Sequence, residues 1–288
     1  MAMREPSFKS NKVIEERISD AKLRVFDAGF DQNLYRLQPF AEVIMKTLPE
    51  FALGYEVEGV LNQDVYERLK KAAEMMYKTD KYKSRGEFGE LILHLLLRDF
   101  CNTVPLVSKI YFKDAKNVAV HGFDAIHVTS NEDKKSLWLG EAKMYKIGND
   151  GIDELIDDLK KHFKDDYLRD EFVLVRNKVE LLEERNISDK DHWLDLMHHH
   201  TTLDKIFSSI TVPMLCVYDS DIYKDHNSVT EEYLSALNKE VKALHKRFDD
   251  KSRKIRTDLD IILFLVPVPS KETLVDALNT KLKNLQNI

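Results

Sequence analysis

Two almost unbroken apolar segments in the second half of the chain constrain its fold more than any other feature. They are VPMLCVY at Val212–Tyr218 and LDIILFLVPV at Leu259–Val268, and a helix-like segment over Val229–Phe248 separates them. Apolar strands joined by a helix are typical of a parallel pair that is buried on both faces of a sheet. The chain is therefore predicted to contain a sheet with helices packed on both sides.

Helices and strands also follow one another before that pair. An apolar helix is predicted over Glu87–Phe100, and an amphipathic helix with its apolar face from Ile152 to Phe163 follows the strand segments. The strand-like segments are Leu106–Phe112, Gly122–Thr129 and Leu137–Met144. The polar tract SNEDKKS joins the last two as an antiparallel hairpin. This order predicts an α/β fold, a mixed sheet flanked by helices.

The first 85 residues have a different pattern. Apolar residues recur at three-to-four spacing over Leu34–Leu48 and Val65–Tyr77, with Pro49 between the two segments. We therefore expect residues 1–85 to form a helical accessory region and residues 86–288 to form the core with C-terminal helices. No run of about 18 apolar residues occurs and residues 1–12 are polar, which predicts a cytoplasmic protein that does not contact the membrane.

The charge balance argues against tight binding to nucleic acid by the chain alone. The sequence has 44 Lys and Arg residues against 50 Asp and Glu residues, a net charge of −6. Neutralising phosphates requires an excess of cations where the backbone lies. One locally basic segment, Lys239–Arg256, is explained either by a solvated helix face or by a phosphate-binding surface. An enzyme of this composition that acts on nucleic acid would need a partner to bring it there.

Three charged residues lie within the predicted hairpin, in otherwise apolar sequence. Asp124 is in GFDAI, and Glu141 and Lys143 are in WLGEAKM. Residues two apart in a strand point to the same face, so Glu141 and Lys143 share a patch that Asp124 can reach from the neighbouring strand. An acid two positions before a base should occur by chance about seven times in this composition, so the strand context gives the pattern its weight. The alternative is a surface salt bridge on an edge strand, with Asp124 as a surface acid near a turn.

These residue types suit metal-assisted phosphodiester hydrolysis. The carboxylates of Asp124 and Glu141 are hard oxygen ligands of the kind that Mg²⁺ prefers. A divalent cation withdraws charge from the scissile phosphate and lowers the pKa of an attacking water, and the Lys143 amine would orient or deprotonate that water. An acid at the start of the apolar helix, Glu90 or else Glu87, either extends the cluster or favours the positive helix end. We prefer Glu90, because it begins the buried part of that helix.

The order and spacing of these residues resemble the PD-(D/E)xK nuclease superfamily over Gly86–Val268. The matching motifs are Gly86-x-x-x-Glu90, Gly122-Phe123-Asp124 and Gly140-Glu141-Ala142-Lys143. The resemblance implies a restriction-endonuclease-like nuclease core, with Asp124, Glu141 and Lys143 as catalytic residues. It also implies that Glu90, Asp124 and Glu141 bind Mg²⁺, for which Mn²⁺ can substitute. Phe123 stands where the family often has proline, at a position that only shapes the turn.

The stretches RGEFGELILHLLL, HGFDAIHV and LWLGEAKMYK give a narrower resemblance. They look like the HamA family, the nuclease subunits of the Hachiman antiphage defence system, and the chain is similar to that family over its whole length. The similarity implies a deoxyribonuclease effector that pairs with HamB, a superfamily 2 helicase, and degrades DNA once the helicase senses it. No G-x-x-x-x-G-K-[ST] motif occurs, so any ATP hydrolysis would belong to the partner. Two alternatives stay open: a non-catalytic adaptor or regulatory subunit of a helicase complex, and an RNase of the same fold.

The helicase partner is expected to bind away from the hairpin. The candidate surfaces are the accessory helices before Arg85 and the His-rich segment DHWLDLMHHH around Trp193. Because a chain of net charge −6 gains little attraction to phosphates, we expect the isolated protein to cut DNA poorly and the partner to deliver or release it.

Overall fold

The computed structural model describes residues 10–53, 65–76, 86–108, 122–131, 134–181, 189–253, 255 and 259–287. Within these residues, seven strands form one mixed sheet and two short strands form a separate ribbon. The sheet strands are β1 (Glu15–Ser19), β2 (Leu23–Asp27), β5 (Thr103–Ser108), β6 (Ala125–Asn131), β7 (Lys134–Tyr145), β8 (Ile210–Asp219) and β9 (Asp260–Val268). Their order across the sheet is β1-β2-β9-β8-β7-β6-β5, and the ribbon pairs β3 (Phe30–Asp31) with β4 (Leu34–Tyr35).

Helices cover both faces of this sheet. They are α1 (Leu37–Lys46), α2 (Leu48–Leu53), α3 (Val65–Met75), α4 (Gly86–Cys101), α5 (Gly148–His162), α6 (Asp165–Leu181), α7 (Lys190–Leu196), α8 (Leu203–Phe207), α9 (Ile222–Asp225), α10 (Glu231–Ser252) and α11 (Lys271–Gln286). Side chains of α5, α6 and α10 pack on one face, which we call the α5 face. Those of α1, α2, α4 and α11 pack on the other, the α4 face. The predicted α/β fold is confirmed, and none of the described helices is both long and apolar enough to cross a membrane.

The strand β7 lies inside the sheet, where it joins the two predicted strand pairs. It pairs antiparallel with β6, from Ala125 opposite Gly140 to Asn131 opposite Lys134. On its other side it pairs parallel with β8, which in turn pairs parallel with β9. The predicted hairpin and the predicted buried parallel pair are therefore confirmed. The strand predicted over Leu106–Phe112 begins earlier, as β5, and residues 109–112 lie outside the described residues.

The expectation of a helical accessory region over residues 1–85 is wrong for residues 15–27. These form β1 and β2, which pair with each other, and β2 also pairs parallel with β9 in the main sheet. Each strand has only five residues, and charged side chains interrupt the apolar pattern. The guanidinium of Arg24 donates hydrogen bonds to Glu16 at 2.5 and 2.8 Å, which allows both charges to lie within a sheet. The division of the chain at residue 85 stays a prediction.

The segment around Trp193 is partly buried, and its role as a partner surface stays a prediction. Trp193 is 1% exposed and packs in the core of the α5 face together with Leu196 and Met197. A large apolar side chain on a short amphipathic helix is stabilised by such burial, so the helix turns its aromatic residue inward. The exposed residues of the segment are Asp191, Asp195, His199 and His200.

Candidate active site

Asp124 and Glu141 occupy neighbouring positions on the two strands of the hairpin. The Asp124 amide donates a hydrogen bond to the Gly140 carbonyl at 2.9 Å, and the Ala142 amide donates one to Oδ2 of Asp124 at 2.9 Å. Side chains directly opposite one another on antiparallel strands have Cβ atoms about 4.5–5.5 Å apart. The side chains of Asp124 and Glu141 are 6% and 2% exposed. Two carboxylates therefore lie side by side in a largely buried setting.

Glu141 and Lys143 point to the α5 face, as their spacing predicts. Leu137 and Leu139, which precede them at alternate positions of β7, belong to the core of that face. Ala142 belongs to the core of the opposite face. The alternative of a solvated salt bridge on an edge strand is wrong, because β7 lies between β6 and β8 and Glu141 is buried.

The amine of Lys143 contacts a carboxylate that the sequence analysis did not consider. This is Asp158 of α5, and the two side chains are 25% and 21% exposed. Burial alone would lower the pKa of Lys143, but the pairing with Asp158 and the charges of Glu141 and Asp124 outweigh it and raise the pKa. The lysine is therefore held as a cation among three carboxylates.

A second unpredicted residue, His162 at the end of α5, lies against Glu141. Its Nδ1 is 2.6 Å from Oε1 of Glu141, a close contact that lacks hydrogen-bond angles. The imidazole stacks on the ring of Tyr167 at a centroid distance of 4.9 Å and meets the edge of Phe123 at 5.4 Å. Burial, more than any neighbouring charge, lowers the pKa of His162 to about 4. The ring is thus neutral at pH 7 and held on three sides.

The sequence does contain a signal for both residues. Asp158 and His162 are three and seven positions after Leu155, a spacing that places all three on one side of a helix. Leu155 and Leu159 are buried in the core of the α5 face. Two polar residues on the apolar side of an amphipathic helix indicate a polar site beneath it, since burying them without a partner is costly.

The predicted helix acid is placed differently from the other two acids. α4 packs on the α4 face, where a Cβ atom added to Gly89 would lie 3.4 Å from the Cβ of Ala142. Glu90, at the next position, is 7% exposed. In the part of the chain that the structure describes, no three His, Cys, Asp or Glu side chains are grouped so as to hold a metal ion. A role for Glu90, or for Glu87, as the third ligand stays a prediction.

The pair Asp124 and Glu141 nevertheless fits a divalent cation in donor type and charge. Mg²⁺ in enzymes usually keeps several waters and is bound through one or two carboxylates together with phosphate oxygens of the substrate. Two adjacent carboxylates supply that number of hard oxygen ligands, and Mn²⁺ accepts the same donors. The same face also has a lysine beside them, a group that can bind a phosphate oxygen.

A comparison with known families agrees with the resemblance seen in the sequence. A family model for HamA matches residues 6–282. The chain belongs to the HamA family. HamA is a component of the Hachiman antiphage defence system, so the HamA assignment places the chain in a defence system that acts through more than one protein. No curated protein is similar enough to the chain to count as a match.

Proposed function

We propose that this HamA protein is a metal-dependent deoxyribonuclease and the effector of a Hachiman defence complex with a helicase. The observation that supports this most strongly is the placement of two buried carboxylates, Asp124 and Glu141, beside the Lys143 amine on one face of the sheet. Family membership agrees with a role in defence. Beyond this role in defence, we propose the reaction, the metal ion and the helicase partner.

Each site residue has a distinct part in the proposed reaction. Asp124 and Glu141 would hold Mg²⁺, which when bound polarises the scissile phosphate and lowers the pKa of a nearby water. Lys143 would donate hydrogen bonds to the attacking water and to the phosphate oxygens, where negative charge develops in the transition state. Ala142 contributes through its amide, which holds the Asp124 carboxylate in place at 2.9 Å.

A non-catalytic adaptor is the second candidate function. The deep burial of Asp124 and Glu141, at 6% and 2% exposure, favours it, because a phosphate must reach a metal held there. An adaptor would bind the helicase partner and cut neither DNA nor RNA under any condition. An RNase of the same fold would cut the RNA substrate and not the DNA. The proposed metal chemistry fits both substrates, since a metal acts on the phosphate whichever sugar is present.

The experiment that separates these functions uses labelled DNA and labelled RNA of matched sequence. Each substrate is incubated with increasing Mg²⁺, with the chain alone and with its helicase partner, in the presence and absence of ATP at one salt concentration. We expect DNA cleavage that requires Mg²⁺, is weak for the chain alone and is strong for the complex with ATP. Equal and robust cutting by the isolated chain would contradict the proposed control by the partner, and no cutting by the complex would contradict the nuclease.

A further inference from the structure

Two residues of α5 contact two different members of the candidate site. Asp158 contacts the amine of Lys143, and His162, one helical turn later, contacts the carboxylate of Glu141. Residues four apart lie on the same side of a helix. One side of one helix therefore contacts both Glu141 and Lys143 of β7.

The packing of α5 does not depend on these two polar residues. Ile152, Leu155, Ile156 and Leu159 of the same helix are at most 1% exposed and lie in the core of the α5 face. Apolar burial of this kind stabilises the position of a helix. The helix is thus a fixed support, and the polar residues on it are held at defined positions over the hairpin.

We propose that Asp158 and His162 are positioning residues that fix the side chains of Lys143 and Glu141 for the reaction. The inference rests on the proposed nuclease function and concerns the same site. Neither residue is proposed to contact the substrate or to exchange a proton. Each would act by restricting the orientation of the side chain that it touches.

Asp158 would limit the conformations of the Lys143 side chain and still leave hydrogen-bond donors of its ammonium group for the reaction. A lysine amine sits on a flexible four-carbon stem, so an unrestrained amine would spend little time in one orientation. The contact with Asp158 selects one orientation. An ammonium group has three donors, so two are left for a water and a phosphate oxygen.

One carboxylate oxygen of Glu141, Oε1, is in contact with His162. The imidazole of His162 is held between the stacked ring of Tyr167 and the edge of Phe123, so its Nδ1 has a fixed position 2.6 Å from Oε1. Carboxylates that bind metals are commonly oriented by a further polar group, and the loss of such a group typically lowers metal affinity or activity about 10–100-fold. His162 supplies that group here.

The test of Asp158 uses its neighbour as the matched control. Asp158→Asn removes the charge at constant shape, Asp158→Glu keeps it, and Asp157→Asn alters an exposed acid of the same helix that pairs with Lys160. In the complex with its partner, Asp158→Asn should lower kcat for DNA cleavage about 10-fold with KM unchanged. Asp158→Glu should recover part of the loss, and Asp157→Asn should behave as the wild type.

The test of His162 measures metal binding directly, without DNA. His162→Phe keeps a ring between Tyr167 and Phe123 but removes the nitrogen, and His162→Asn places an amide near the position of Nδ1. Titration calorimetry with Mn²⁺ should show at least about 10-fold weaker binding for His162→Phe, with affinity largely recovered in His162→Asn. Thermal unfolding of each variant distinguishes this effect from loss of the fold.

The outcomes separate the inference from the proposed function. If the wild-type complex neither cuts DNA nor binds Mn²⁺, the proposed function fails and the inference fails with it. If the wild type cuts, but Asp158→Asn has the kcat of Asp157→Asn and both His162 variants bind Mn²⁺ normally, only the inference is overturned. Should His162→Phe fail to fold, weak Mn²⁺ binding by a folded His162→Asn variant would also overturn the part assigned to the nitrogen.

Discussion

The two faces of the sheet hold two polar clusters that differ in composition and exposure. The cluster on the α5 face consists of Asp124, Glu141, Lys143, Asp158 and His162. The cluster on the α4 face consists of Glu50, His94, Arg98, Thr103 and His127. In the first cluster Lys143 and Asp158 are about a quarter exposed, while Asp124 and Glu141 are buried. In the second cluster the two histidines are at most 2% exposed and Glu50, at the rim, is 32% exposed.

The α4-face cluster has the features of a structural network. Nδ1 of His94 lies 3.1 Å from Nε2 of His127, and Nδ1 of His127 lies 2.8 Å from the Thr103 hydroxyl. Burial lowers the pKa of His94 to about 3 and that of His127 well below its usual value. Both rings are therefore neutral and hydrogen-bonded to each other, an arrangement that stabilises a core. The charge of Arg98 is paired with Glu50 and Asp99.

We infer from this difference that the two clusters have separable roles, one in the proposed reaction and one in stability. Removing a residue of the α5-face cluster should reduce activity more than stability. Removing one from the α4-face cluster should do the reverse. The following experiments test this separation, from the largest expected effect to the smallest.

Lys143→Ala should reduce DNA cleavage by the partner-bound chain about 100–1,000-fold, because it removes a donor at the site where charge develops. The melting temperature should change little, since the side chain is partly exposed and contributes little to the core. Lys160→Ala is the matched control, because Lys160 is an exposed lysine of α5 that also pairs with an aspartate. Full activity in Lys143→Ala would mean that the lysine is only structural.

His94→Ala should lower the free energy of unfolding by about 2–4 kcal/mol, because it leaves a cavity and removes one of the two hydrogen-bond partners of His127. Chemical denaturation measures this value. Cleavage per folded molecule should be unchanged. His199→Ala, at an exposed histidine, should not alter stability. A His94→Ala protein that is as stable as the wild type but inactive would break the comparison between the faces.

Gly140→Ala should destabilise the protein by about 1–3 kcal/mol, because overpacking displaces well-packed neighbours. A Cβ atom at Gly140 would lie 2.8 Å from Leu93 of α4 and 3.1 Å from Pro213. Gly86→Ala is the control, since nothing lies within 4 Å of its Cβ position. Thermal unfolding of both variants measures the difference, and equal melting temperatures would show that α4 does not pack closely on β7.

Lowering the pH from 7 to 5 should reduce the stability of the folded chain through His94. Its pKa falls from 6.5 in the unfolded chain to about 3 in the fold, so the unfolded state binds the proton first. The stability that the fold gains from a neutral His94 is complete above pH 6.5 and is lost as the pH falls towards 3. At pH 5 the loss is about 2 kcal/mol. Denaturant unfolding at both pH values measures the slope, which should be shallower in His94→Gln; an equal slope in both proteins would refute this assignment.

Local patterns predicted the elements that define the site. The alternation along β7 correctly placed Glu141 and Lys143 on one face, because a strand has a side-chain period of two whatever surrounds it. The unbroken apolar segments predicted the parallel pair β8 and β9, since burial on both faces leaves no polar positions.

Long-range contacts account for what the sequence did not predict. Asp158 and His162 acquire their roles only when α5 folds back over β7, which no local spacing specifies. Strands β1 and β2 are short and contain Arg24 and Glu16, whose pairing across the strands becomes visible only in the sheet. Likewise, the sequence places Glu90 at the start of a buried helix but does not specify which carboxylates it approaches.

The central claim is that Glu141 and its neighbours on the α5 face cut DNA with a divalent cation. The most direct test is Mg²⁺-dependent cleavage of labelled duplex DNA by the partner-bound chain, comparing the wild type with Glu141→Gln and with Glu154→Gln, an exposed acid of α5. The wild type and Glu154→Gln should cut only when Mg²⁺ is present, and Glu141→Gln should not cut at any Mg²⁺ concentration while still binding the partner. A Glu141→Gln complex that cuts as fast as the wild type would contradict the account.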